Sequence, residues 1–143
     1  MGLAVSKGNL AIREHGTLIG KSLKDEAIGY YLKAISYNET YDAYYGLATL
    51  CKDWGEYQNA IHFYEQAIKI DSNSYKSYND MGYCYYELKD DIKALECFKK
   101  SFDINPNGMV LRNMGNCYKN LGEIEQFKDC YNKADMIENG LTS

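Results

Sequence analysis

Proline is nearly missing from this chain of 143 residues, which has one, and histidine is scarce at two. So little Pro, beside 45% hydrophobic and 25% charged residues, excludes a proline-rich or collagen-like chain and excludes disorder as the main state. No apolar run approaches the roughly 18 residues that a membrane-spanning helix needs, and the N-terminus lacks the basic-then-apolar order of a secretory signal. Stable membrane insertion is therefore not expected, and a cytoplasmic location is. The five cysteines at positions 51, 84, 97, 117 and 130 are odd in number and contain no CxxC pair, which predicts neither a disulfide framework nor a zinc site. Positive charge is not in excess either: Lys+Arg 16 against Asp+Glu 20 gives a net charge of −4, which argues against a surface built to neutralise phosphates, so nucleic acid is not an expected partner.

Catalytic chemistry is equally thin. His15 and His62 lie far apart in sequence, neither beside a nucleophile it could activate. The glycines are isolated, with no phosphate-cradling loop. No enzyme activity, metal or cofactor is predicted.

Tyrosine is abundant, at 15 against Phe 4 and Trp 1. Its placement is periodic. Ala27, Ala60, Ala94 and Phe127 follow one another at 33, 34 and 33 residues; Tyr31, Tyr64, Phe98 and Tyr131 keep the same intervals, as do Ala34, Ala67, Ser101 and Ala134. Within each unit these residues stand at i, i+4 and i+7, one face of a helix on which small side chains flank a ring. Upstream of three of them lies a second i, i+3, i+4, i+7 pattern: Tyr44, Leu47, Ala48 and Cys51; Tyr78, Met81, Gly82 and Tyr85; Leu111, Met114, Gly115 and Tyr118. The helices of a pair are divided by Trp54-Gly55, Leu88-Lys89-Asp90 and Leu121-Gly122, and the pairs by Asp71–Ser74 and Asn105–Gly108. Cys84 and Cys117, like Cys97 and Cys130, are themselves 33 apart, which marks them as small packing residues.

This arrangement resembles the tetratricopeptide repeat, W-x2-L-G-x2-Y followed by A-x3-F and later P. Tyr78, Met81, Gly82, Tyr85, Ala94, Phe98, Ser101 and Pro106 carry the fullest copy. The resemblance implies an all-α fold, a right-handed superhelix of antiparallel helix pairs with about eight helices, forming a single domain over 1–143 with repeats at 41–74, 75–107 and 108–140 after a degenerate one at 8–40. In that first copy Ala27, Tyr31 and Ala34 fit the second helix, whereas Glu14 and His15 replace the expected Leu and Gly.

The resemblance further implies a non-enzymatic adaptor whose first helices line a concave groove that takes a peptide or helix of a partner protein. Carried over repeat by repeat, the groove set is Tyr45, Thr49 and Lys52; Lys76, Asn79, Tyr83 and Tyr86; and Arg112, Asn116 and Lys119. Tyr83 and Arg112 are expected to border the groove and contribute little to stacking. The family's grip on the acidic tails of heat-shock chaperones needs Lys, Asn, Asn, Lys and Arg over three repeats, and Tyr45, Thr49, Asp80, Met109 and Asn113 do not supply them. The alternative is a structural module that forms a homodimer through its Tyr-rich helix faces.

Two features concern the ends. Ile28, Ile61 and Leu95 give way to Lys128, and Ile35, Ile68 and Phe102 to Asp135, so the face that would stack on a further repeat becomes charged and the array is expected to stop there. The opening residues Met1-Gly2-Leu3-Ala4-Val5-Ser6 fit the N-myristoylation pattern, a short one that often arises by chance.

Overall fold

The computed structural model describes residues 18–141. The first helix expected for the degenerate repeat, and the Gly2 motif, lie outside them. Seven helices are described: α1 (Leu18–Tyr37), α2 (Tyr41–Asp53), α3 (Tyr57–Ile70), α4 (Tyr75–Glu87), α5 (Asp91–Ile104), α6 (Gly108–Asn120) and α7 (Ile124–Glu138). No strand occurs among the described residues. The helices form two compact units that divide after Ser72, with α1–α3 in the first and α4–α7 in the second.

The local signals that start and stop these helices are explicit. Thr40, Ser74, Asp90 and Asn107 cap α2, α4, α5 and α6, each side-chain oxygen accepting a hydrogen bond from the backbone N–H three residues on. After α2 the chain closes a Schellman turn: the Glu56 N–H reaches the Cys51 carbonyl at 2.8 Å while the Gly55 N–H reaches that of Lys52 at 2.9 Å. The same pair of bonds follows α4 and α6, which lets α3, α5 and α7 turn back on their partners. Such a turn needs one residue at positive φ; Gly55 (77°) and Gly122 (79°) supply it without a Cβ penalty, whereas Lys89 adopts 66° against the preference of an L side chain.

In the first unit the repeat series becomes the core. Ala27, Ala60 and Ala67 are fully buried beside Tyr31, Leu47 and Tyr64, so the helices approach closely and the rings fill the space between small residues. In the second unit Ala94, Leu95, Phe98, Val110, Leu111, Met114, Cys117, Cys130 and Ala134 form one cluster, with Tyr85, Tyr86, Phe102 and Tyr118 packed against it. Gly82 is small for a steric reason: a Cβ there would stand 2.7 Å from Cε1 of the Phe98 ring. Ser101 occupies an alanine position at no polar cost, because its buried hydroxyl donates to the Tyr75 carbonyl at 2.9 Å.

Candidate functional site

The ten residues expected to line a groove fall on α2 in the first unit and on α4 and α6 in the second. Most are already engaged by neighbours of their own unit. On α2 the Tyr45 ring stacks on Tyr41 at 5.5 Å and meets the edge of Tyr64 at 5.7 Å, while the Thr49 hydroxyl shares a hydrogen bond of 2.9 Å with the Tyr64 hydroxyl. Lys52 is half-buried. Tyr45 and Thr49 are thus brought together around one buried ring from α3.

The second unit repeats that device at its far end. Tyr131 of α7 donates its hydroxyl to Oδ1 of Asn116 on α6 at 2.6 Å. Between the two, in repeat 75–107, Phe98 has no hydroxyl to offer, and the position equivalent to Thr49 and Asn116 holds Tyr83, which is 42% exposed. Lys76 and Lys119 are also exposed, Lys119 with its ammonium 5.6 Å from the Phe127 ring centre, and Tyr86 is half-buried against the core. Asn79 accepts a hydrogen bond of 3.1 Å from Nδ2 of Asn113, joining α4 to α6 by an amide pair.

Arg112 departs from expectation. Its side chain does not stand clear of the packing: Nη2 donates to Asp135 at 2.6 Å and to Glu138 at 2.8 Å, Nε donates to the other Glu138 oxygen at 3.2 Å, and the guanidinium lies 5.2 Å from the Tyr131 ring centre. The hydrogen bond from Arg112 holds the Glu138 carboxyl below its usual pKa, and Glu138 and Asp135 in turn hold Arg112 more firmly in its charged form. Asp135, expected only to charge the face beyond the last repeat, therefore also serves its own helix pair. Glu138 was missed from the sequence, and so were the contacts that Asn113, Tyr131 and Asp135 make with groove positions. The carboxylates were legible as an i, i+3 pair on the last helix, but their partner on α6 lies 23 and 26 residues earlier and no local spacing announces it.

The cysteines are built for packing. Burial pushes the Cys51 thiol up to about 11 and the Cys117 thiol up to about 12, so neither is a nucleophile near neutral pH. All five are buried, and none forms a disulfide. Among the described residues no group of three or more His, Cys, Asp or Glu could hold a metal ion, and no helix is long and apolar enough to cross a membrane.

Comparison with known proteins agrees with this architecture. The chain is 27% identical over 97 residues to "Photosystem I assembly protein Ycf3" of Prochlorococcus marinus (strain NATL1A), a match covering 65% of this chain and 56% of that protein. To the Ycf3 of Synechococcus sp. (strain CC9605) it is 30% identical over 87 residues, covering 58% and 50%. The chain thus spans about half the length of these curated relatives. A crystal structure of MamA superposes with a TM-score of 0.79 at 22% identity, covering 93% of this chain and 79% of that one, which shows a shared all-α fold. Tetratricopeptide repeat models match residues 41–74, 75–107 and 112–140, and the chain belongs to the tetratricopeptide repeat family.

Proposed function

We propose that the chain is a non-enzymatic adaptor that binds an extended segment or helix of a partner protein in a groove lined by the first helices of its repeats. The observation that carries this reading is Tyr83: a large ring, 42% exposed, in the repeat where the tyrosine hydroxyl that engages Thr49 and Asn116 elsewhere is replaced by Phe98. A rigid amphipathic ring with an exposed face is the side chain most often found at binding hot spots. The Asn79–Asn113 pair beside it supplies amide groups suited to a polypeptide backbone. Membership of the repeat family supports protein binding as the general role. Five buried cysteines that form no disulfide suit the cytoplasm.

Photo-crosslinking tests the reading. A photoreactive phenylalanine replaces Tyr83 on α4 in one variant and exposed Glu96 on α5 in another, and both are expressed in the source cell. Crosslinks from position 83 to a distinct protein, with none from position 96, are the expected result. Capture from 96 alone would move the site to the second helices. Capture only of a second copy of this chain would establish self-association in place of the adaptor role.

A further inference from the structure

Asp135 and Glu138 place two carboxylates around a single guanidinium. Arg112 is committed to them by three hydrogen bonds of 2.6, 2.8 and 3.2 Å, and the contact with Glu138 is two-pronged, the geometry in which an arginine–carboxylate pair is strongest and most directional. The Tyr131 ring lies over the guanidinium and is itself fixed by its hydroxyl bond to Asn116, so the cation is held from two sides. One positive and two negative groups leave the cluster with a formal charge of −1. The carboxylate side chains are 60% and 48% exposed, so a chain lying along α6 would feel that charge. Beside the cluster the Asn79–Asn113 pair is polar and uncharged.

We infer that Asp135 and Glu138 set the charge specificity of the first turns of α6: by holding Arg112 they withhold its guanidinium from acidic partners, and the segment accepted there carries no acidic side chain beside Arg112 and is read through the Asn79–Asn113 amides. This rests on the binding face proposed above. It differs from a loss of basic residues, because the cation is present and is neutralised internally; an acidic segment would have to displace a two-pronged ion pair and then face the carboxylates it displaced.

The test uses purified protein and a fluorescein-labelled peptide of alternating Glu and Ala, followed by anisotropy at low ionic strength, where exposed charges are least screened. The D135N/E138Q variant frees Arg112. The E123Q/E125Q variant makes the same change in net charge at the opposite end of α7, away from the Asp129–Lys133 ion pair, and serves as the control. D135N/E138Q is expected to bind the acidic peptide about fivefold more tightly than the control, the size of one exposed charge pair, and adding R112Q should remove the gain. Equal gains in the two variants, or a gain that survives R112Q, would overturn the inference. If the double variant melts early, the single D135N and E138Q variants must each show an intermediate gain, and its absence from both counts against the inference. Because the probe is a defined peptide, failure here leaves the crosslinking result at Tyr83 standing as the separate test of the face itself.

Discussion

Tyr131 reaches from α7 to Asn116 on α6, its hydroxyl donating at 2.6 Å, and Tyr64 stands in the same relation to Thr49 on the preceding unit at 2.9 Å. In both cases the ring fills the space between paired helices while the hydroxyl ties down a polar side chain of the first helix. One residue thereby sets both the packing of a repeat and the polarity of its outer surface.

Removing that hydroxyl alone separates the two roles. Tyr131→Phe should leave the ring packing intact, since Phe98 fills the equivalent place in the middle repeat, and should cost about 0.5–1.5 kcal/mol through the lost hydrogen bond. Urea unfolding measures it. An unchanged midpoint would show that Asn116 is served as well by water as by Tyr131.

Lys89 predicts a gain. Its φ of 66° is that of the glycines at the two equivalent turns, and the left-handed conformation costs an L residue about 1–2 kcal/mol. Glycine relieves the cost but loses more chain entropy on folding, so Lys89→Gly should stabilise by a net amount of about 0.5–1 kcal/mol. A denaturant midpoint that does not rise would mean that the lysine side chain makes a compensating contact.

Acid should loosen the last helix pair first. Arg112 lowers the Glu138 pKa in the folded state, so this pair contributes stability that is fully present above the ordinary glutamate pKa and is lost as the pH falls through the lowered folded-state value. Comparing thermal melts of the parent and Arg112→Gln from neutral pH downward isolates the contribution. The gap between them should be widest at neutral pH and close below the carboxyl range; a gap that stays constant would show that Arg112 acts through its packing on Tyr131 alone.

The cysteines should be silent toward alkylation. With Cys117 pushed up to about 12 and Cys51 to about 11, a neutral alkylating reagent at mildly basic pH should label neither in the folded protein and both in denaturant. Mass spectrometry of digested samples reads the sites. Rapid labelling of Cys117 in the native state would show that the α6–α7 core opens locally.

The sequence by itself determined the repeat: alanine and aromatic positions recurring at 33 and 34 residues fix which face of each second helix is buried, and the breaks at Trp54-Gly55, Leu88–Asp90 and Leu121-Gly122, with Asp71–Ser74 and Asn105–Gly108 between pairs, fix where helices end and reverse. These are local or strictly periodic signals, carried by side-chain size and backbone preference, and they read directly. The surface chemistry of the first helices was legible only as a list of residues. Whether Thr49, Asn116 and Arg112 present a free polar group depends on side chains 15 to 26 residues later on the paired helix, and spacing along one helix does not encode what the opposite helix brings across. Tertiary packing decided that Arg112 is an internal ion-pair partner and that Tyr83 is exposed, because a hydrogen bond between two helices exists only once their backbones have been brought within reach of each other.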